Sequence, residues 1–302
     1  MDASNTITFG DAPGGGAIGG TITLQGDLDQ LEKNITIIAG IGVTITSTPG
    51  SLAFPILRTD LGTKCEFDNL IIENPGGGGA GAILNLGTLV VNGCTITNCT
   101  GSGISNDKTL TMYNTDVEWN SSGSGGGMRN VGTATCYYCT FAHNYASSNG
   151  GGIDNETGAS LTLTDCIVSN NYADLGGGIY NNSGSVTVIG PLSGPSGGPS
   201  TSASLDLAYN TAHGRGGGLY QTGSGATATF TGASIVGNLV DSSYLDGAGG
   251  GVCLEGGFAN FGPWCYIVGN SAAVGASIAY KNTGASFSID DSCTIDSAPQ
   301  LF

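Results

Sequence analysis

The chain has 302 residues, 55 of them glycine and only 9 proline, with 39% hydrophobic and 10% charged residues. Glycine at this level without an every-third spacing excludes a collagen helix, and the regularly placed apolar share excludes a disordered low-complexity chain. Acidic residues outnumber Lys and Arg by 23 to 7, for a formal net charge of -16, and no basic stripe exists, which argues against nucleic acid, acidic polysaccharides and anionic membranes as partners.

Met1-Asp2-Ala3-Ser4 has neither the basic nor the apolar part of a signal peptide, and no apolar run reaches the roughly 20 residues of a membrane helix. No signal peptide, anchor or membrane insertion is therefore expected. Residues 1–34 read as an N-terminal cap region containing Asn5-Thr6-Ile7-Thr8-Phe9 and Gly20-Thr21-Ile22-Thr23-Leu24, and Ile35-Thr36-Ile37-Ile38 continues the pattern. Period-two alternation with Thr outside and aliphatic residues inside is a strand signal. It returns at Thr109-Leu110-Thr111-Met112, Leu161-Thr162-Leu163-Thr164 and Val186-Thr187-Val188. No stretch sustains a helical period, so the chain reads as all-β.

Two phrases recur between these strands. One is a glycine triplet followed by an apolar residue, beginning at Gly125, Gly150, Gly176, Gly216 and Gly249. The other is an apolar residue, two variable ones and Asn, ending at Asn120, Asn144, Asn170, Asn210, Asn238 and Asn270, with Ile71 to Asn74 an earlier copy and Cys99 in the Asn slot after Ile96. From Ile83 onward the apolar anchors lie 21 to 26 residues apart, except for gaps of 40 and 33. The excesses fall at 190–202 and 239–248, which read as loop insertions; 286–302 reads as a C-terminal coil and tail. Repeats this short cannot bury a core alone, so they stack as coils spaced by about 4.8 Å. The predicted architecture is one domain over 1–302: a single-stranded right-handed parallel β-helix (a β-solenoid) of about 11 coils, a rod of roughly 50 Å. Glycine supplies positive φ at one corner, and Asn at another can ladder from coil to coil and satisfy turn amides.

The glycine-triplet and Asn phrases, together with Cys94-Thr95-Ile96-Thr97-Asn98 and Gly176-Gly177-Gly178-Ile179-Tyr180-Asn181, resemble the repeats of chlamydial polymorphic membrane proteins and of bacterial surface β-helix proteins more widely. The likeness runs from about residue 5 to 298. It implies an adhesin-like or structural role at an extracellular or cell surface.

The remaining candidates for chemistry are thin. Cys136-Tyr137-Tyr138-Cys139 has metal or redox spacing but no second pair. Cys94, Cys139, Cys166, Cys265 and Cys293 precede strands at one phase of the repeat, which predicts a column of buried thiols. A lyase-type site would need clustered carboxylates with a base; Asp154, Asp165 and Asp174 near Arg129 or Arg215 are the candidates, but at different phases. No catalytic residue, metal or cofactor is therefore expected. Ice binding would need Thr-x-Thr in phase on every coil, whereas Thr111, Thr135, Thr162, Thr164 and Thr187 are interspersed with Met, Tyr, Cys and Ser. The expected function is a non-enzymatic structural or adhesin-like module, assembling into a surface layer or filament or displaying loops to a protein or glycan ligand. Self-association end to end or side by side is a further partner mode. A β-helix polysaccharide lyase or hydrolase, and a phage virion fibre or decoration component, are the alternatives. Candidate contact residues are Trp119, Tyr137, Tyr138, Tyr244 and Trp264.

Overall fold

Alternation makes the strands, and residues in the left-handed region end them. In the coil that starts at Thr133, strand Thr133–Tyr137 turns Ala134 and Cys136 inward and ends at Tyr138, φ 56°. Strand Thr140–Ala142 then buries Phe141 and ends at His143, φ 56°. Strand Tyr145–Asn149 buries Ala146 and ends at Gly150, φ 61°, and Ile153–Asn155 closes the coil. The next coil begins at Ser160, directly beneath Thr133.

These positions come from a computed structural model that describes residues 5–9, 20–24, 33–48, 54–76, 81–191, 206–241, 247–281 and 284–302. The strands of successive coils form a 20-stranded, a 10-stranded and a 5-stranded sheet. Every strand-to-strand ladder is parallel, from Asn5–Phe9 on Ile35–Ala39 to Gly257–Phe261 on Ala285–Ile289. Along the long sheet the rungs start at Asn5, Ile35, Lys64, Thr88, Thr109, Thr133, Ser160, Ser185, Thr227, Gly257 and Ala285, which makes the 11 coils that the repeat spacing predicts. Most of the insertion expected at 190–202 and much of 1–34 lie outside the described residues; of the one expected at 239–248, Leu239–Val240 is instead a strand of the 5-stranded sheet paired with Thr211–Ala212, and 242–246 lie outside the described residues.

The interior is one continuous apolar column. Phe67, Val91, Met112, Cys136, Leu163, Val188, Phe230 and Phe261 succeed one another on a single inward track. Phe230 and Phe261 stack with centroids 5.2 Å apart. Each fully buried aliphatic or aromatic side chain contributes roughly 1.5–3 kcal/mol, repeated at every rung.

Two amide ladders run beside this column. In the first, Asn120, Asn144, Asn171, Asn210, Asn238 and Asn270 follow one another; Asn144, for example, donates from Nδ2 to Asn171 Oδ1 at 3.1 Å and to Val117 O at 2.8 Å. Each Oδ1 also accepts the backbone N–H of the residue in the slot above it, as Asn144 Oδ1 does from Asn120 at 3.1 Å and Asn120 Oδ1 from Cys99 at 3.1 Å. Asn171, not Asn170, takes this place: Asn170 is the exposed corner residue at φ 55°, and Val168, not Ile167, points inward. The Asn-Asn pair made the phrase match one residue early. In the earlier copy only the anchor shifts: Ile72 is the buried residue above Ile96, while Asn74 remains buried in the ladder slot above Cys99.

The second ladder was not anticipated. Asn85, Asn106, Asn130, Asn155 and Asn181 link Nδ2 to Oδ1 at 2.7–2.9 Å, Gln221 closes the series at 3.1 Å, and Thr59 caps its head at 2.6 Å. Its signal was present two residues after most of the anchors, as in Ile153-Asp154-Asn155, whereas Gln221 follows Leu219 and Leu254 follows Val252 at that spacing.

The glycine triplet is a steric requirement at three consecutive positions. Gly150 holds a positive φ, a Cβ on Gly151 would lie 2.4 Å from Tyr172 O and 2.5 Å from Gly177 O, and one on Gly152 would lie 2.7 Å from Gly178 O. The coils therefore touch backbone to backbone along this corner.

Candidate functional site

The three-residue strands of the long sheet, such as Asp116–Glu118 and Thr140–Ala142, are flanked by two left-handed corners. Down the first corner run Asn69, Gly93, Asn114, Tyr138, Asp165, Gly232 and Trp264, and down the second Asn98, Trp119, His143, Asn170, Tyr209, Gly237 and Gly269. A left-handed conformation disfavours residues with a side chain by roughly 1–2 kcal/mol, and only Gly, Asn and Asp adopt it routinely. Asn and Gly serve in several coils, yet five corners carry Trp119, Tyr138, His143, Tyr209 and Trp264.

These rings are not folded away. Trp119 is 56% exposed, Tyr138 61%, Tyr209 52% and Trp264 41%. Trp119 and His143 stack at 4.2 Å and 6°, and Tyr209 lies over Gly237, where a Cβ would come within 2.6 Å of the ring. Tyr113 stacks on Tyr137 at 5.2 Å and Tyr145 on Tyr172 at 5.7 Å. Rings stacked coil on coil present their edges outward.

Of the contact residues expected from sequence, Trp119, Tyr138 and Trp264 thus all stand at strained and exposed corners, Tyr138 and Trp264 on the first and Trp119 on the second. Tyr137 is half-buried in its stack, and Tyr244 lies outside the described residues. His143 and Tyr209 were missed as partners of Trp119. Their signal is that each immediately precedes a ladder Asn, in Trp119-Asn120, His143-Asn144 and Tyr209-Asn210.

The strands between the corners carry carboxylates. Glu73, Asp116, Glu118 and Asp296 point outward there, and Asp165 sits on a corner. Among the described residues, no Lys or Arg lies on either corner or on these short strands.

A second outward cluster lies on the 10-stranded sheet, where Arg129, Asp154, Tyr180, Tyr220 and Cys253 follow one another in register. Asp154 is only 2% exposed, and its Oδ1 has no hydrogen-bond partner. Burial first, and the neighbouring Glu156 carboxylate second, raise its carboxyl to about 7 against the pull of Arg129. Arg129 is engaged by Glu156 at 3.0 Å. Tyr180 stacks on Tyr220 at 5.4 Å. Beyond them Glu255 pairs with Arg215 and, at 2.8 Å, with Lys281, and both cations lie over the Phe302 ring at 5.1 and 5.6 Å. Burial opposes ionisation of Glu255, but the Lys281 hydrogen bond and the Arg215 charge outweigh it and hold its carboxyl below the usual range. Asp165 and Asp174 stand elsewhere around the coil, one on the first corner and one exposed on the 5-stranded sheet, so the three aspartates do not share one face.

Asp154 gives a pH prediction. Its folded carboxyl titrates near 7 against an ordinary 3.8, so the folded state holds the proton more tightly than the unfolded one. The stability so gained is full below about pH 4 and is lost as pH rises through 7, a fall of up to about 4 kcal/mol. Asp154→Asn is expected to remove that fall, which urea unfolding at a series of pH values would read.

The predicted thiol column is present in part. Cys94, Cys139, Cys166 and Cys265 are buried and Cys293 is partly so, with Thr115 and Ala233 in the intervening places; all nine cysteines are unpaired. The position has a polar task. Cys94 Sγ accepts the Leu70 amide, Thr115 Oγ1 the Cys94 amide and Cys166 Sγ the Cys139 amide, each at 3.4 Å, just past a left-handed corner. Burial pushes the Cys94 thiol up to about 11 and the Cys265 thiol up to about 12, which keeps both protonated and unreactive. Among the described residues, no three His, Cys, Asp or Glu side chains gather as a metal site.

Four of the five threonines read from the sequence as interspersed are in phase, while Thr164 stands on another outward track between Tyr137 and Ile189. Thr111, Thr135, Thr162, Thr187 and Thr229 form one outward column, because the interspersed Met112 and Cys136 point inward. A column of β-branched hydroxyls is what the open face of a strand favours.

The geometry agrees with the comparison to known families. Residues 39–191 match the model of the right handed beta helix region, and the chain belongs to that family of right-handed parallel β-helices. No curated protein and no solved structure matches the chain.

Proposed function

We propose that this chain is a non-enzymatic recognition module, a rigid β-helix rod that presents one lateral face to a macromolecular partner at an extracellular or virion surface. The adhesin-like role of the proteins its repeats resemble fits this reading. The observation that carries it is the placement of exposed aromatic rings at five corners whose backbone disfavours them, on a scaffold whose interior amides and thiols are already engaged with one another. Strain held at a surface position is a mark of selected function.

A carbohydrate-active enzyme is the second reading, and one observation favours it. Asp154 is a carboxyl titrating near neutrality, two residues along the strand from Glu156, and a proton-donating acid beside a carboxylate is what glycoside cleavage uses. Glu156 is held by Arg129, however, and Asp154 Oδ1 is closed off from solvent.

The test is to image the native material by electron microscopy and, in parallel, to incubate the purified protein with neutral and uronate polysaccharides. Ordered arrays or a decorated surface without chain cleavage are expected. Dispersed monomers whose polysaccharide cleavage disappears in Asp154→Asn would replace this reading with the enzymatic one.

A further inference from the structure

The partner's chemistry can be taken further, on the assumption that the aromatic corners are the contact face. We infer that the face between the two corners, from Trp119 to Tyr209, binds a cationic protein segment rich in Arg or Lys.

Its dimensions suit an extended peptide. The corners are separated by a three-residue strand, about 10 Å, and Trp119, His143, Asn170 and Tyr209 occupy four successive coils, about 14 Å from first to last. The floor between them is shallow and mixed: Thr140 and Ile167 share one outward track, and Ile167 is exposed. Tyr138 rises on one side, and Trp119 with Tyr209 on the other.

The charges select the sign of the partner. Asp116 and Glu118 lie at the upper end of the face beside Trp119, Glu73 lies two coils above them, and no Lys or Arg among the described residues opposes them. A cation over a Trp or Tyr face gains from the ring quadrupole as well as from nearby carboxylates. Arg fits best, because its planar guanidinium both stacks on rings and bridges carboxylates. A second copy of this chain fits poorly, since each carries a net charge of -16. A neutral glycan would use the rings but leave the carboxylates without counter-charge.

The corners also supply a test that does not depend on a damaged fold. Asn is at home in the left-handed region, so Trp119→Asn, Tyr138→Asn and Tyr209→Asn delete the rings while relaxing the backbone. Binding of a fluorescent Arg-Gly repeat peptide, with Glu-Gly peptide and a neutral oligosaccharide as comparison probes, would be followed by anisotropy at low salt and at about 1 M salt, where screening acts within about 3 Å.

The wild-type protein is expected to bind the basic peptide and to lose it at high salt. The triple Asn variant, folded by circular dichroism, should bind about tenfold or more weakly. Asp116→Asn with Glu118→Gln should weaken binding and flatten its salt dependence. Unchanged affinity in the triple variant would overturn the inference, because diffuse negative charge would then explain the binding. Binding of the neutral or acidic probe through the same corners, without the basic one, would also overturn it while leaving the contact-face reading intact. If no probe binds, both fail.

Discussion

Gly151→Ala is expected to destabilise the rod by more than about 4 kcal/mol, the range reserved for changes with a single severe cause. The added Cβ would sit 2.4 Å from Tyr172 O and 2.5 Å from Gly177 O, both backbone atoms of the next coil. Neither can swing aside as a side-chain tip could, so two coils must separate along the corner where their amides pair, as Gly151 N–H does with Gly176 O at 3.2 Å. Gly158→Ala is the matched control. Gly158 has a positive φ of 78° and nothing within 4 Å of an added Cβ, so it should cost about 1 kcal/mol from backbone strain alone. Urea unfolding midpoints of the two variants, read in one experiment, separate steric contact from conformational preference.

The second large effect is expected at Asn144. Its Oδ1 takes the Asn120 amide, and its Nδ2 serves Val117 O and Asn171 Oδ1, all in buried surroundings. Asn144→Ala leaves the Asn120 N–H without an acceptor and strips a donor from a buried carbonyl, at 1–3 kcal/mol for each unsatisfied group, so a loss of about 3 kcal/mol is expected. Asn170→Ala, a change to the Asn that looks equivalent in the repeat, removes no ladder bond and should cost only about 1 kcal/mol for its left-handed φ. Equal losses at the two sites would refute the assignment of Asn171 to the ladder.

The contrast between Asn170 and Asn171 shows how far the sequence could be read. A period of about 25 residues, Thr alternation and the glycine triplet define stacked coils without ambiguity, because each repeats at every rung and each has one physical cause. A ladder position is harder, since Asn also favours the left-handed corner next door, and only the hydrogen bonds separate the two uses. The threonine column was misjudged for a related reason. Adjacent letters in a strand point to opposite faces, so Met112 does not interrupt Thr111 and Thr135. Trp119 and Tyr138 were visible as aromatics, but that they stand at strained corners depends on φ, which no composition reports. Asp154 was legible as an acid near Arg129 and illegible as a buried one, because the packing that encloses it comes from neighbouring coils.

The chain holds aromatic rings at corners where its own backbone disfavours them. Urea unfolding of Tyr138→Asn tests it most directly, since no stacking partner complicates that site and Asn fills the same corner one coil above, at Asn114. The variant is expected to be more stable than the parent by up to about 1 kcal/mol. A loss of stability of that size or more would mean that Tyr138 is there to hold the fold, and the recognition reading of the face would lose its foundation.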